Sequence, residues 1–253
     1  MARLGNIMIF LLGVLAFAAP GQAAQVRMAF GEKISPFCVP ETDTGIEIEI
    51  IREALAFRGH TLKPMYYPFA RVPLAFRADQ VDAAMSDLGQ DLGAKAYYGD
   101  PAVFYDNVFI TLKERGLSIK RPEDLRGLRV IAFPGALKRY PAWLTEVQKD
   151  NRYYEQSNQS LQVLTLAAGH YDVVLSDRNI FKYFTLQLKK EKNFQPKPVQ
   201  LHSFVALNPS DYRPVFKDAG IRDDFNAGLK HLKKIGRVDA IYKKYLGSLK
   251  EPD

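Results

Sequence analysis

One segment occurs twice in this chain, ninety residues apart: Asp82-Ala83-Ala84-Met85-Ser86-Asp87 and Asp172-Val173-Val174-Leu175-Ser176-Asp177. Each copy runs from an aspartate through small or β-branched apolar residues to a Ser-Asp pair. A helical pattern precedes each copy, over residues 72–78 and 161–168, followed by a short polar turn. Apolar runs of this length between turns suit strands buried on both faces, as in a parallel sheet. The Ser-Asp pair then falls at the carboxyl end of its strand, where open α/β sheets place their ligands. Two α/β lobes, each offering a hydroxyl and a carboxylate, follow from that reading. Chance likeness between two ordinary helix–strand units is the competing explanation, and the rest of the chain decides between them.

The first residues have the layout of a signal peptide. Arg3 supplies the positive charge, residues 7–19 are uncharged and apolar, and Ala23 and Ala24 offer small residues for cleavage. The apolar run is short for a membrane span, and no later segment approaches one. Cys38, the only cysteine, lies too far along to carry a lipid anchor and cannot form an internal disulfide. It is expected as a small buried hydrophobe. The formal charge of +7 comes without a dense basic block, which speaks against nucleic acid and only weakly for anionic ligands. Lys189, Lys190 and Lys192 flank a polar stretch expected as a solvated loop.

Downstream, residues 26–30 predict a first strand and residues 46–57 a helix with Glu47, Glu49 and Glu53 decorating its start, where the helix dipole favours acids. Residues 61–67 predict a second strand. Pro68 and Pro73 then bracket Arg71, which belongs at a loop-to-helix junction. A strand over 108–112 leads away into a new α/β rhythm: a turn at 122–125, strand 128–132, and helices over 141–147 and 160–168. The second repeat copy, a helix over 180–188 and a strand over 203–207 follow. A long amphipathic region over 223–245, divided at Gly236, closes the chain. Leaving one lobe, building another and returning makes two crossovers, an arrangement suited to hinge bending around a ligand.

Several elements in order resemble the family 3 periplasmic solute-binding proteins. They are Pro36-Phe37, the helix opening from Gly45 to Leu55, Gln80-Val81-Asp82-Ala83 with Asp100-Pro101, Glu123-Asp124-Leu125-Arg126-Gly127-Leu128-Arg129-Val130, Ala168 through Asp177, and the closing stretch from Leu232 to Leu246. The resemblance implies an α/β, two-lobed type II periplasmic-binding-protein fold with two hinge crossovers and a cleft between the lobes. It implies residues 1–23 as signal peptide, 24–109 with 204–253 as the first lobe, and 110–203 as the second. It also implies a monomer that serves a membrane permease of the ATP-driven type or a sensor kinase. In the amino-acid binders of this family, an aspartate at the place of Asp177 takes the ligand's ammonium group, and an arginine after the first Ser-containing strand clamps its carboxylate. Residues 88–95 contain no such arginine; Lys95 lies nearby but lacks the guanidinium fork, and Arg71 is the other candidate. Pro134-Gly135-Ala136 occupies the place where the family offers backbone N–H groups to an anion, with alanine replacing the usual hydroxyl.

The ligand-binding set expected from these arguments is Phe37, Arg71, Ser86, Asp87, Gly135 and Asp177. Each has a plainer role to weigh. Asp177 and Asp87 also suit caps of the following turns, Arg71 a surface ion pair, and Phe37, Tyr67 and Phe69 core packing. The four histidines are scattered and Cys38 is alone, so no metal site is indicated. No nucleophile elbow, phosphate loop or dinucleotide fingerprint occurs, so neither a catalytic residue nor a cofactor is expected. The function expected is capture of a small polar solute, amino-acid-like or an organic acid, by a periplasmic protein. Two alternatives stay open: a dehydratase-like enzyme on the same scaffold using Asp87 or Glu41, and an accessory docking protein whose cleft is filled by its own side chains.

Overall fold

The computed structural model describes residues 23–32 and 34–247; the expected signal peptide, up to its cleavage region, lies outside them. The chain opens with β1 (Gln25–Gly31), α1 (Ile46–Ala56), β2 (Thr61–Tyr67), α2 (Val72–Arg77), β3 (Ala83–Ala84) and β4 (Tyr97–Tyr98). It crosses over residues 99–106 into β5 (Asn107–Leu112), β6 (Val130–Ala132), α3 (Ala136–Arg139), α4 (Pro141–Lys149), β7 (Tyr153–Glu155), α5 (Gln159–Ala167), β8 (Val173–Asp177), α6 (Arg178–Lys192) and β9 (Val199–Ser203). Residues 204–214 return to β10 (Val215–Phe216), and α7 (Ala219–Lys234) and α8 (Arg237–Leu246) close the fold.

Two five-stranded sheets result, ordered β2-β1-β3-β10-β4 and β7-β6-β8-β5-β9. Within each, one strand next to a crossover runs antiparallel to its neighbours: β10 in the first sheet and β5 in the second. The last strand of the second sheet differs from expectation. It covers Val199–Ser203 and not 203–207, because Leu112 to Val108 of β5 pair with Val199 to Ser203 in register. The lysines at 189, 190 and 192 sit in the last turn of α6, where cations complement the helix's C-terminal carbonyls.

The second sheet is buried on both faces, as its apolar runs predict. Phe109, Val130, Ala132, Val173 and Leu175 pack with Leu144 and Val147 of α4 on one side. Val108, Ile110, Ile131 and Val174 pack with Val163, Leu166, Phe181 and Leu188 on the other. Alternate residues of one strand thus serve opposite cores, which is the two-residue period of a pleated sheet. In the first lobe, α1 is buried nearly all round, with Ile46, Ile48, Ile50 and Ile51 fully covered. It crosses α7 so closely that a Cβ on Gly228 would collide with the Ala54 carbonyl oxygen. Glycine there permits the approach of the two backbones. Ile180 of α6 joins the first lobe's core, so the lobes are packed together on the hinge side.

Candidate functional site

The two copies of the repeat do matching work at their first residue. Asp82 accepts hydrogen bonds from the Arg27 backbone N–H and from its guanidinium, at 2.9 and 2.7 Å. Asp172 does the same with Arg129, at 2.8 Å from the backbone N–H and 3.2 Å from Nε. Each aspartate therefore pins the neighbouring parallel strand or the residue leading into it, since β3 pairs with β1 and β8 with β6. The Arg27 hydrogen bond holds the Asp82 carboxyl below its ordinary range. Burial opposes ionisation of Asp172, but the bonds and charge of Arg129 outweigh it.

At their last residue the copies diverge. Asp87 is locally engaged: one oxygen accepts from Gly89 N–H at 2.8 Å and the other from the Tyr98 hydroxyl at 2.8 Å. Ser86 is buried, accepts from Leu88 N–H and donates to the Asp211 carbonyl. That last bond ties the tip of the first lobe to the returning crossover. Asp177 is 2 % exposed and caps α6, its Oδ1 accepting from Asn179 and Ile180 N–H at 2.8 and 2.9 Å. Its Oδ2 has no hydrogen-bond partner among the described residues. Burial raises its pKa to about 7; the Ile180, Asp106 and Asn179 amides pull the other way, and the Asp106 charge adds to the rise. A buried carboxylate oxygen without a donor is a costly feature, and in this arrangement that oxygen is closed off from solvent.

Tyr105 and Tyr212 of the two crossovers lie within the field of the Asp177 charge. The Tyr212 hydroxyl donates to the Tyr105 carbonyl at 2.8 Å, joining the returning crossover to the outgoing one. Burial, helped by the Asp177 charge, pushes the Tyr212 phenol up to about 12. Tyr242 of α8 also feels that charge. Asn107, opposite Asp177 in the β5–β8 register, donates to the Tyr140 hydroxyl at 3.1 Å. Arg178 pairs with Asp106 at 2.7 Å, fixing the start of α6 to the outgoing crossover.

Glu47 belongs to the same region and was not expected there. It is 3 % exposed, accepts from the Tyr105 hydroxyl at 2.9 Å and from the Cys38 thiol at 3.7 Å, and is raised to about 7 by burial against those two bonds. Glu49 is also buried, bonded to Lys244 and to the Tyr245 hydroxyl. Glu47 and Glu49 are therefore buried acids, whereas Glu53 is half-buried and pairs with Arg237. The signal was present in the sequence: isoleucines at 46, 48, 50 and 51 leave a helix no polar side.

The remaining expected residues separate. Phe37 is fully buried, its ring 4.4 Å from that of Tyr105 and 6.5 Å from that of Tyr242, so in this arrangement it supports the hinge from the core and presents no face to a ligand. Arg71 lies at the junction of a short 3-10 turn and α2; it is exposed, its backbone N–H donates to the Pro68 carbonyl, and its guanidinium has no ion-pair partner among the described residues. Lys95 is exposed as well. Gly135, with φ +85°, opens α3, but the anion on its N–H is internal. Glu155, at the end of β7, accepts from Gly135 N–H at 2.7 Å, Leu137 N–H at 3.2 Å and the Tyr153 hydroxyl at 2.7 Å. Among the described residues no cluster of histidine, cysteine or carboxylate side chains suits a metal ion, and no helix is long and apolar enough to cross a membrane.

Neither a family model nor a curated protein matches the chain by sequence. Solved structures do match by shape. A structure from work on glutathione import via GshT and the cystine ABC importer TcyBC of Streptococcus mutans superposes with a TM-score of 0.63 at 18% identity, covering 91% of this chain and 98% of the other. Substrate-binding domain 2 of Lactococcus lactis GlnP, in its open conformation, gives 0.59 at 21% identity over 88% and 96%. A histidine kinase sensor domain with similarity to periplasmic binding proteins gives 0.59 at 21% identity over 90% and 98%. With its two sheets, two crossovers and closing helices, the chain has the two-lobed α/β fold of the type II periplasmic binding proteins.

Proposed function

We propose that this protein is an exported member of the family 3 solute-binding proteins that captures a small polar solute, amino-acid-like or an organic acid, between its lobes. It serves an ABC-type permease or a sensor kinase as a periplasmic monomer. The observation that carries this reading is the partnerless, buried Oδ2 of Asp177 beside both crossovers. A solute N–H or O–H donor there gains a charge-assisted hydrogen bond and touches the segments that must bend when the lobes close. Closure then follows from the solute's preference for the closed arrangement, and the partner reads that population. The folds compared above include both transport and sensor proteins, which supports either partner.

Titration calorimetry against the proteinogenic amino acids and small carboxylic acids tests the reading. The expected result is stoichiometric binding by the native protein, weakened at least about 30-fold in Asp177→Asn, a loss of the size expected for a charge-assisted bond. Equal affinity of both proteins removes Asp177 from the site. A docking role without solute is the second reading, favoured by the Glu155 carboxylate already lying on Gly135 and Leu137 N–H. Heat-free titrations throughout the set support it.

A further inference from the structure

The second sheet has two ends with different neighbours. Asp177 and both crossovers lie at one, since Asn107 of β5 stands opposite Asp177 and Ser203 of β9 opposite Val108. The other end, where β6, β7 and β8 begin, holds a cavity of about 470 Å³ lined in part by Arg129, Arg152, Tyr154 and Tyr171. Along β8 the two ends are about 16 Å apart at the rise of a parallel strand, so this cavity is a different place from the one Asp177 serves. Its volume is within the range of roughly 300–1,000 Å³ typical of small-molecule sites.

The strand pairing makes this end cationic. Val130 of β6 is paired with Tyr153 of β7, so the residues just before them, Arg129 and Arg152, enter adjacent strands side by side. Arg129 is bound to Asp172, but that carboxylate also takes Arg115 at 3.0 Å. Two guanidiniums therefore share one negative charge. Arg152 is exposed, and its guanidinium has no hydrogen-bond or ion-pair partner among the described residues. Glu155, the acid of β7, is committed to Gly135, Leu137 and Tyr153. No carboxylate among the described residues lines the cavity. The carbonyls at the end of α5 are engaged as well: those of Leu164, Thr165 and Leu166 accept from the N–H groups of Ala168, His170 and Gly169, and that of Gly169 accepts from Arg129 at 2.8 Å.

Aromatic rings complete the lining. Tyr154 is 62% exposed, and its ring centre lies 6.5 Å from that of Tyr171. Burial raises the Tyr171 phenol, Tyr154 adds to the rise and Arg129 opposes it, so the rings and the cation act on the same space. An exposed ring beside an unpaired guanidinium suits a ligand that is flat and negatively charged. The guanidinium fork takes two oxygens of one anion, and the ring offers an offset stacking face.

We propose that this cavity is a second ligand site, for a small aromatic oxyanion, in which Arg152 holds the charged group and Tyr154 and Tyr171 receive the ring. Aromatic carboxylates and aryl phosphates share that chemistry. The site is independent of solute capture at Asp177.

Calorimetric titration with benzoate and with phenyl phosphate tests the assignment. Benzyl alcohol serves as the uncharged ring, and cyclohexanecarboxylate and inorganic phosphate as anions without one. Native protein is expected to bind at least one aromatic anion about tenfold or more tighter than benzyl alcohol, and about threefold or more tighter than the anion lacking a ring. The better of the two aromatic anions identifies the headgroup. Arg152→Gln should weaken that anion about tenfold and Tyr154→Ala about fivefold, with thermal unfolding confirming that both variants fold. Affinity unchanged in Arg152→Gln places any bound anion elsewhere and overturns the proposal, as does the absence of binding by both aromatic anions. Equal affinity for benzyl alcohol, or for the ringless anion, overturns the ligand class. Each of these failures leaves the capture role at Asp177 standing.

Discussion

Asp177 shows how one side chain combines two demands. Its Oδ1 stabilises the first turn of α6, while Oδ2 is left without a donor. Asparagine keeps an acceptor for the cap, so Asp177→Asn should unfold near the native temperature and lose affinity. Asp177→Ala should lose affinity and, in addition, about 1 kcal/mol of stability from the missing cap. Thermal unfolding and calorimetry on the pair separate the two contributions. Glu47 makes a different prediction. With its pKa raised to about 7 by burial, the native state binds more protons than the unfolded chain between the ordinary carboxylate range and neutrality. Stability therefore falls as pH rises through that window and levels off above it. Asp177 contributes in the same direction. In Glu47→Gln the fall between pH 5 and pH 8 should shrink by an amount on the order of 3 kcal/mol, measured by chemical denaturation; a slope equal to that of native protein would contradict burial of an ionisable Glu47. The burial of Glu47 was signalled by the isoleucines of α1, whereas the Glu155 contact was not legible from local pattern. Glu47 required the helix to be recognised as covered on all sides, and Glu155 meets Gly135 only after β6 and β7 pair.

At the scale of elements, the twin segments were the most readable part of the sequence, but their shared chemistry lies at the opposite end from the one expected. The leading aspartates are equivalent, each pinning an arginine at the start of the neighbouring parallel strand. The trailing ones are not, because Asp87 is consumed by its own turn and by Tyr98 whereas Asp177 begins a long helix. Asp82→Ala and Asp172→Ala should each lower stability by about 2 kcal/mol, since each leaves a guanidinium and a backbone N–H without their acceptor. Asp172→Ala should cost more than Asp82→Ala, because Asp172 also pairs with Arg115 at 3.0 Å. Urea midpoints that do not move in either variant would mean that the repeat has no structural meaning. Strands longer than five residues and the long helices were visible as hydrophobic periods. The short strands β4, β7 and β10 were not, because two or three residues show no period, and pairing alone defines them.

For the whole molecule, the decisive feature is that both crossovers converge on Tyr212. Its hydroxyl links residues 105 and 139, its ring lies 5.8 Å from both Phe104 and Tyr105, and the neighbouring Asp211 carbonyl receives Ser86 from the first lobe. Tyr212→Phe keeps the packing and removes the latch, so stability should drop by only about 1 kcal/mol while the lobes spread. Fluorescence energy transfer between dyes on Arg77→Cys and Lys192→Cys, both exposed, reads the separation, because the native Cys38 is buried and stays unlabelled. An unchanged distribution would place the hinge elsewhere. The order of lobes and crossovers was legible from the chain's rhythm, but the latch depends on loop residues that no periodicity marks. The most direct test of solute capture at Asp177 is native mass spectrometry of freshly purified protein beside Asp177→Asn. The account predicts a small-molecule adduct on the native protein that is absent from the variant. The same adduct on both, or a bare mass for native protein even after incubation with the amino-acid mixture, would contradict it.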